Sequence, residues 1–279
     1  MYFSGTRDTA NSRLRFAAYG LAIALLAACS RGEPTPKGNE DAPIGPYLVG
    51  IYGPTATPKG TWTDGADDAR MERSVCAFGP MAGDTLGRRL LAVCATPLDA
   101  GHATPGLIDF HELKPAPDGW HPVEIARDQE FGNDGNPGTV SLVRLGRNRG
   151  GFVVEETWIG QGFVLGSRSL LEFRGGTLAT LATLRTDLDN QGTLDCDDAG
   201  ACNGDLVSLQ FDQHLDASEI DADAYPLRVH EHGTECGQAV DRQHRFAFEA
   251  GTGRYSIPPA LMREDCLRNV NPGSGVARP

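Results

Sequence analysis

Lysine is nearly missing from this chain: Lys37, Lys59 and Lys114 are its only lysines in 279 residues, and the arginines do not gather into runs. Phosphate binding depends on clustered basic side chains, so nucleic acid is excluded as a partner class. The formal charge is -12, from 37 acidic against 25 basic residues. No G-x-S-x-G, H-E-x-x-H or S-x-x-K motif occurs, which removes the motif-borne hydrolases. No C-x-x-C pair occurs either, which argues against a zinc-thiolate site. An apolar run long enough to span a bilayer is also lacking. The run at residues 16–28 has thirteen residues, where a spanning helix takes about 20.

That short run has a different use. Arg7, Arg13 and Arg15 precede it, and Leu26-Ala27-Ala28-Cys29 closes it. The arrangement resembles the signal peptide and lipobox of bacterial lipoproteins. The resemblance implies export, removal of residues 1–28 and acylation of Cys29 as the new N-terminus. The membrane is then a partner through the lipid anchor. Ser30 stands where an Asp would imply inner-membrane retention, so an outer-membrane lipoprotein of the cell envelope is expected. Residues 29–46, rich in proline and charge, read as a tether.

Export also explains the remaining cysteines. Cys76, Cys94, Cys196, Cys202, Cys236 and Cys266 read as three disulfides in an oxidising compartment. Pairing of sequence neighbours is expected: Cys76 with Cys94, Cys196 with Cys202 and Cys236 with Cys266.

Between the tether and a frayed tail at 269–279, residues 47–268 read as one all-β domain. A mainly antiparallel meander is expected, sandwich or barrel-like, disulfide-stapled and with few short helices. Strands are expected at 47–52, 74–78, 89–95, 107–113, 120–125, 139–145, 151–159, 162–173 and 177–184. Further strands are expected at 205–212, 226–232, 245–249 and 254–257, and a short helix at 259–265. Gly and Asn punctuate these runs and supply the positive φ that tight hairpins need. Leu178, Leu181 and Leu184 also have helical spacing, but the interleaved Thr177, Thr180 and Thr183 favour a strand.

Chemistry concentrates at residues 187–198. Asp187, Asp189, Gln191, the Thr193 carbonyl, Asp195 and Asp198 fall at the six ligand positions of an EF-hand loop, with Gly192 at the sharp turn. Gln191 and Asp198 depart from that template, and Gly200, Cys202 and Gly204 leave no room for an exiting helix. The stretch more closely resembles the calcium loops carried between strands in repeat proteins of the FG-GAP type. Calcium is the cofactor this implies. The competing reading is an acidic turn whose side chains cap their own backbone.

Other constellations are weaker. His230 and His232 share a strand face, but Arg228 beside them disfavours a cation, and a solvated face is the reading. Glu155 and Glu156 are adjacent, point to opposite faces and cannot act as an acid and base pair. Glu112 and Glu124 could face each other across a hairpin. Residues 133–138 form a second polar loop, and Trp62, Trp120 and Trp158 read as core or sheet-face residues. The expected function is a binding or structural role in the envelope, toward a protein or glycan, stabilised by calcium. The alternative is a carboxylate-dependent hydrolase acting on an envelope polymer or glycan.

Overall fold

The computed structural model describes residues 43–66, 70–194 and 204–266. The all-β expectation holds: strands dominate, every pairing between them is antiparallel, and the described residues contain one α-helix. Five strands form the first sheet in meander order: β1 (Thr61–Asp64), β2 (Met71–Pro80), β3 (Arg89–Pro97), β4 (Gly106–Ala116) and β5 (Gly119–Phe131). The second sheet has seven, again in sequence order: β6 (Thr139–Gly146), β7 (Arg149–Gly160), β8 (Phe163–Arg174), β9 (Thr177–Asp189), β10 (Val207–Leu215), β11 (Leu227–Glu235) and β12 (Gln238–Phe246). A two-residue hairpin, β13 (Phe248–Glu249) with β14 (Arg254–Tyr255), follows.

The continuous apolar run of β3 is explained by its position. Leu90 and Ala92 face the second sheet and meet Phe152, Val154 and Leu171, while Leu91 and Val93 point the other way. A strand buried on both faces has no polar alternation to show. Phe110 and Phe152 close the contact between the sheets with ring centroids 4.7 Å apart. Each such fully buried Leu or Phe contributes about 1.5–3 kcal/mol.

Residues 47–52 are not the expected first strand. They belong to helix α1 (Gly45–Tyr52), which starts with Pro46 in its first turn and stops at Gly53, whose φ is 91°. The run is apolar at nearly every position, so neither period stands out, and burial decides the outcome. Tyr47, Leu48 and Tyr52 cover Leu91, Val93, Leu113, Trp62 and Trp120 on the outer face of the five-stranded sheet. The short helix expected at 259–265 is present at the start of that span as a 3-10 helix, Pro259–Met262. Strand β12 extends well before the expected 245–249, because its polar sequence hides an alternation in which Val240 alone is apolar and buried.

Two expected disulfides are present. Cys76 to Cys94 joins β2 and β3 at a bulge, with Cα atoms 5.7 Å apart. Cys236 to Cys266 ties the turn between β11 and β12 to the C-terminal segment, also at 5.7 Å. The pair Cys196 and Cys202 lies outside the described residues, as does Cys29.

Candidate functional site

The open face of the second sheet is organised by one row of residues in register. Thr157, Gly166, Asp187, Gln210, His232 and Asp241 follow one another across β7 to β12. Directly opposed residues share a face, so these side chains look to one side. Gly166 matters here. A Cβ at this position would lie 2.2 Å from Thr186 Oγ1 and 2.7 Å from the Asp187 carboxylate. The missing side chain makes the room in which Asp187 sits.

Beyond this row β9 and β10 part. They pair only from Asp187 to Asp189 against Ser208 to Gln210, whereas β10 pairs with β11 over nine positions. Gln213 bridges the gap by donating from Nε2 to the Arg185 carbonyl at 2.5 Å, and Arg168 Nη1 donates to the Gln213 carbonyl at 3.0 Å. A groove of about 670 Å³ lies at this parting, and Asp187, Gln210, Asp212, Glu155, Glu156 and Thr157 are among its lining residues. Asn136 and Gly138 form its rim, so the polar loop at 133–138 reaches the groove.

The groove is predominantly anionic. Among the described residues Arg168 is its one lining cation, and it is held by Glu155, with Nε at 2.7 Å. Glu156 accepts from Ser167 Oγ at 2.8 Å and from the Gly132 amide at 2.5 Å. Glu155 and Glu156 thus use different partners on different faces, as adjacent strand residues must. Of the other two lining carboxylates, Asp187 stands beside Gly166, and Asp212 lies 3.0 Å from His232 Nε2. Glu112 and Glu124 do oppose each other across β4 and β5, but Glu112 is buried and engaged by Arg88 at 2.5 Å.

The acidic stretch begins inside the sheet. Asp187 and Asp189 belong to β9, on one face of it, and Gln191 and Thr193 form a 3-10 turn (Gln191–Thr193). Asp189 accepts from the Gln191 amide and from Ser208 Oγ, both at 2.9 Å. Asn190, which the sequence pattern did not single out, pins the turn: Nδ2 donates to the Asp205 carbonyl and Oδ1 accepts from the Val207 amide. Asp195 and Asp198 lie outside the described residues.

His230 and His232 point outward as expected, but the reason for setting them aside does not survive. Arg228 is drawn off by Asp216, with Nη2 at 2.6 Å. Asp212 and Asp241 stand in its place beside the two rings, His232 Nε2 lying 3.0 Å from Asp212 and His230 Nε2 2.8 Å from Asp241. Asp241 is reached across the tight hairpin of β11 and β12, whereas Asp212 lies beyond the long connection between β10 and β11. Of the tryptophans, Trp62 and Trp120 are buried, and Trp158 is exposed.

Comparison with protein-family models, curated proteins and solved structures finds no match for this chain.

Proposed function

We propose that the chain is a lipid-anchored envelope protein whose β domain binds a glycan in the groove between β9 and β10. The observation that carries this reading is the lining. Asp187 and Asp212 stand among the amide and hydroxyl groups of Gln210, Gln213, Thr157 and Thr186. Carboxylates and amides accept and donate to sugar hydroxyls, and an anionic groove favours neutral or amino sugars over acidic ones. Cys29 holds the domain at the membrane, supported by the Leu26-Ala27-Ala28-Cys29 motif. Calcium at Asp187, Asp189, Gln191, Thr193, Asp195 and Asp198 would brace the connection from β9 to β10. The shared strand face of the first two aspartates supports this part of the reading.

The full chain carrying Cys29→Ala is expected in the soluble fraction, and that material serves for calorimetric titration with amino-sugar oligosaccharides, with and without calcium. Binding should weaken about tenfold or more in Asp187→Asn or Gln210→Ala, the loss of a hydrogen bond to a charged or buried group. Calcium should strengthen it. Absence of binding to every oligosaccharide rejects the groove, and recovery of the variant in the membrane fraction rejects the anchor.

A further inference from the structure

Glu231 fixes how strand β11 is turned. The residue is 1 % exposed, and its carboxylate is held on the core side by Arg242, Arg263 and His244. The alternation of a strand then forces both neighbours, His230 and His232, onto the open face. Each ring is a third exposed. Asp212 on β10 stands opposite His230 and reaches diagonally to His232, and Asp241 on β12 stands opposite His232 and reaches diagonally to His230.

We propose that Asp212, His230 and His232 form a binding site for a borderline divalent transition ion such as zinc, with Asp241 orienting His230. The inference is independent of which ligand occupies the groove. Imidazole nitrogen and carboxylate oxygen are the donors such an ion takes in a site without thiolates. One ligand atom from each of the three residues lies within 4.8 Å of the others. His230 Nδ1 is 3.9 Å from the Asp212 Oδ2 that lies 3.0 Å from His232 Nε2. Tetrahedral zinc, with bonds of about 2.0–2.1 Å, holds its ligand atoms about 3.3 Å apart. Small rotations of three accessible side chains close that difference.

Asp241 supplies what a chance pair of surface histidines lacks. By accepting from His230 Nε2 at 2.8 Å it sets the tautomer and leaves the Nδ1 lone pair facing Asp212. A carboxylate behind a ligating imidazole is the usual way of fixing the ring and raising its basicity. The cations of this face are occupied elsewhere, Arg228 by Asp216 and Arg245 by Glu219 at 2.7 Å. Three protein ligands leave a coordination position open. Since Asp212 also lines the groove, the proposed site borders it.

The test uses the purified full chain, stripped with chelator and titrated with cobalt(II), followed by displacement with zinc. One equivalent should bind, with visible absorption of a low-coordinate cobalt site and no thiolate charge-transfer band. Affinity should fall at least tenfold in His232→Ala and in Asp212→Asn, and about 10–100-fold in Asp241→Asn. His121→Ala, on the five-stranded sheet and paired with Asp118, should bind as wild type does. Asp212→Asn is nearly isosteric at an exposed position, so the test does not depend on a histidine variant folding. Lack of stoichiometric binding, or binding unchanged in His230→Ala with His232→Ala, would show a hydrogen-bonded surface ladder and overturn the site.

Discussion

His111 shows how a single residue ties helix to sheet. Tyr52 donates to Asp109 Oδ2 at 2.8 Å, so toward His111 it can only accept, and His111 Nε2 must carry the proton at 2.9 Å. Nδ1 is then free to accept from the Tyr47 hydroxyl, also at 2.9 Å. The result is a directed chain from Tyr47 through His111 and Tyr52 to Asp109, which Arg73 and Arg127 balance with positive charge. Burial drives the His111 pKa down to about 4 and pushes that of Tyr47 up to about 12. An unfolded histidine takes up its proton near pH 6.5, whereas the folded one refuses it until about 4. Stability from the neutral ring is therefore complete above pH 6.5 and is lost as pH falls toward 4, by roughly 3 kcal/mol in all. Urea unfolding across this window should show a steeper loss for wild type than for His111→Gln. Parallel pH profiles would contradict the buried neutral imidazole.

At the scale of elements, the C-terminal segment is held by charge as much as by packing. Arg263 is buried and pairs with Glu231 and with Glu235 at 2.8 Å, and Leu261 enters the same core as Val229 and Phe211. Burial alone would raise the Glu231 carboxyl, but hydrogen bonds from Arg263 and His244 overcome it and hold the group below its usual range. Removing the guanidinium takes away the buried partner of two buried carboxylates and leaves them to the more exposed Arg242 and, for Glu231, His244. Arg263→Ala should cost about 3–5 kcal/mol in urea unfolding, well above the cost of an exposed arginine pair. A loss under 1 kcal/mol would mean water reaches the cluster. The short helix of this segment was legible in the sequence, but its docking was not, for a physical reason. Its short turn is stabilised by long-range ion pairs, not by any local period. The same holds for α1, where a uniformly apolar stretch left the choice of element to tertiary burial.

Across the whole molecule, legibility followed the range of the interactions. The hairpins of β6 to β9 and the pairing of Cys76 with Cys94 are local, and turn residues such as Gly175 and Gly176, both at positive φ, disclosed them. The face carrying His230 and His232 needed register between strands. Part of it was available, because the two-residue turn Cys236-Gly237 pairs Glu235 with Gln238 and hence His232 with Asp241. The long connection between β10 and β11 hides the matching partner Asp212. The groove was not legible at all, since it arises where two strands stop pairing.

The Cys236 to Cys266 bond joins these levels. It closes a span of 30 residues and anchors the segment whose Arg263 orients Glu231, behind the two histidines. In the chain-entropy model a loop of this length is worth about 3–4 kcal/mol, slightly more than the 18-residue span of Cys76 to Cys94. Entropy alone would make the two bonds nearly equivalent, but their positions differ. Cys76 and Cys94 link strands that already pair over nine positions, whereas Cys236 and Cys266 hold a segment with little backbone pairing of its own. Replacing Cys236 and Cys266 by serine should therefore lower stability and also speed amide exchange along β11 and β12. Replacing Cys76 and Cys94 should lower stability without that local effect. Equal exchange changes at β11 in both variants would show that the C-terminal staple does not support this face.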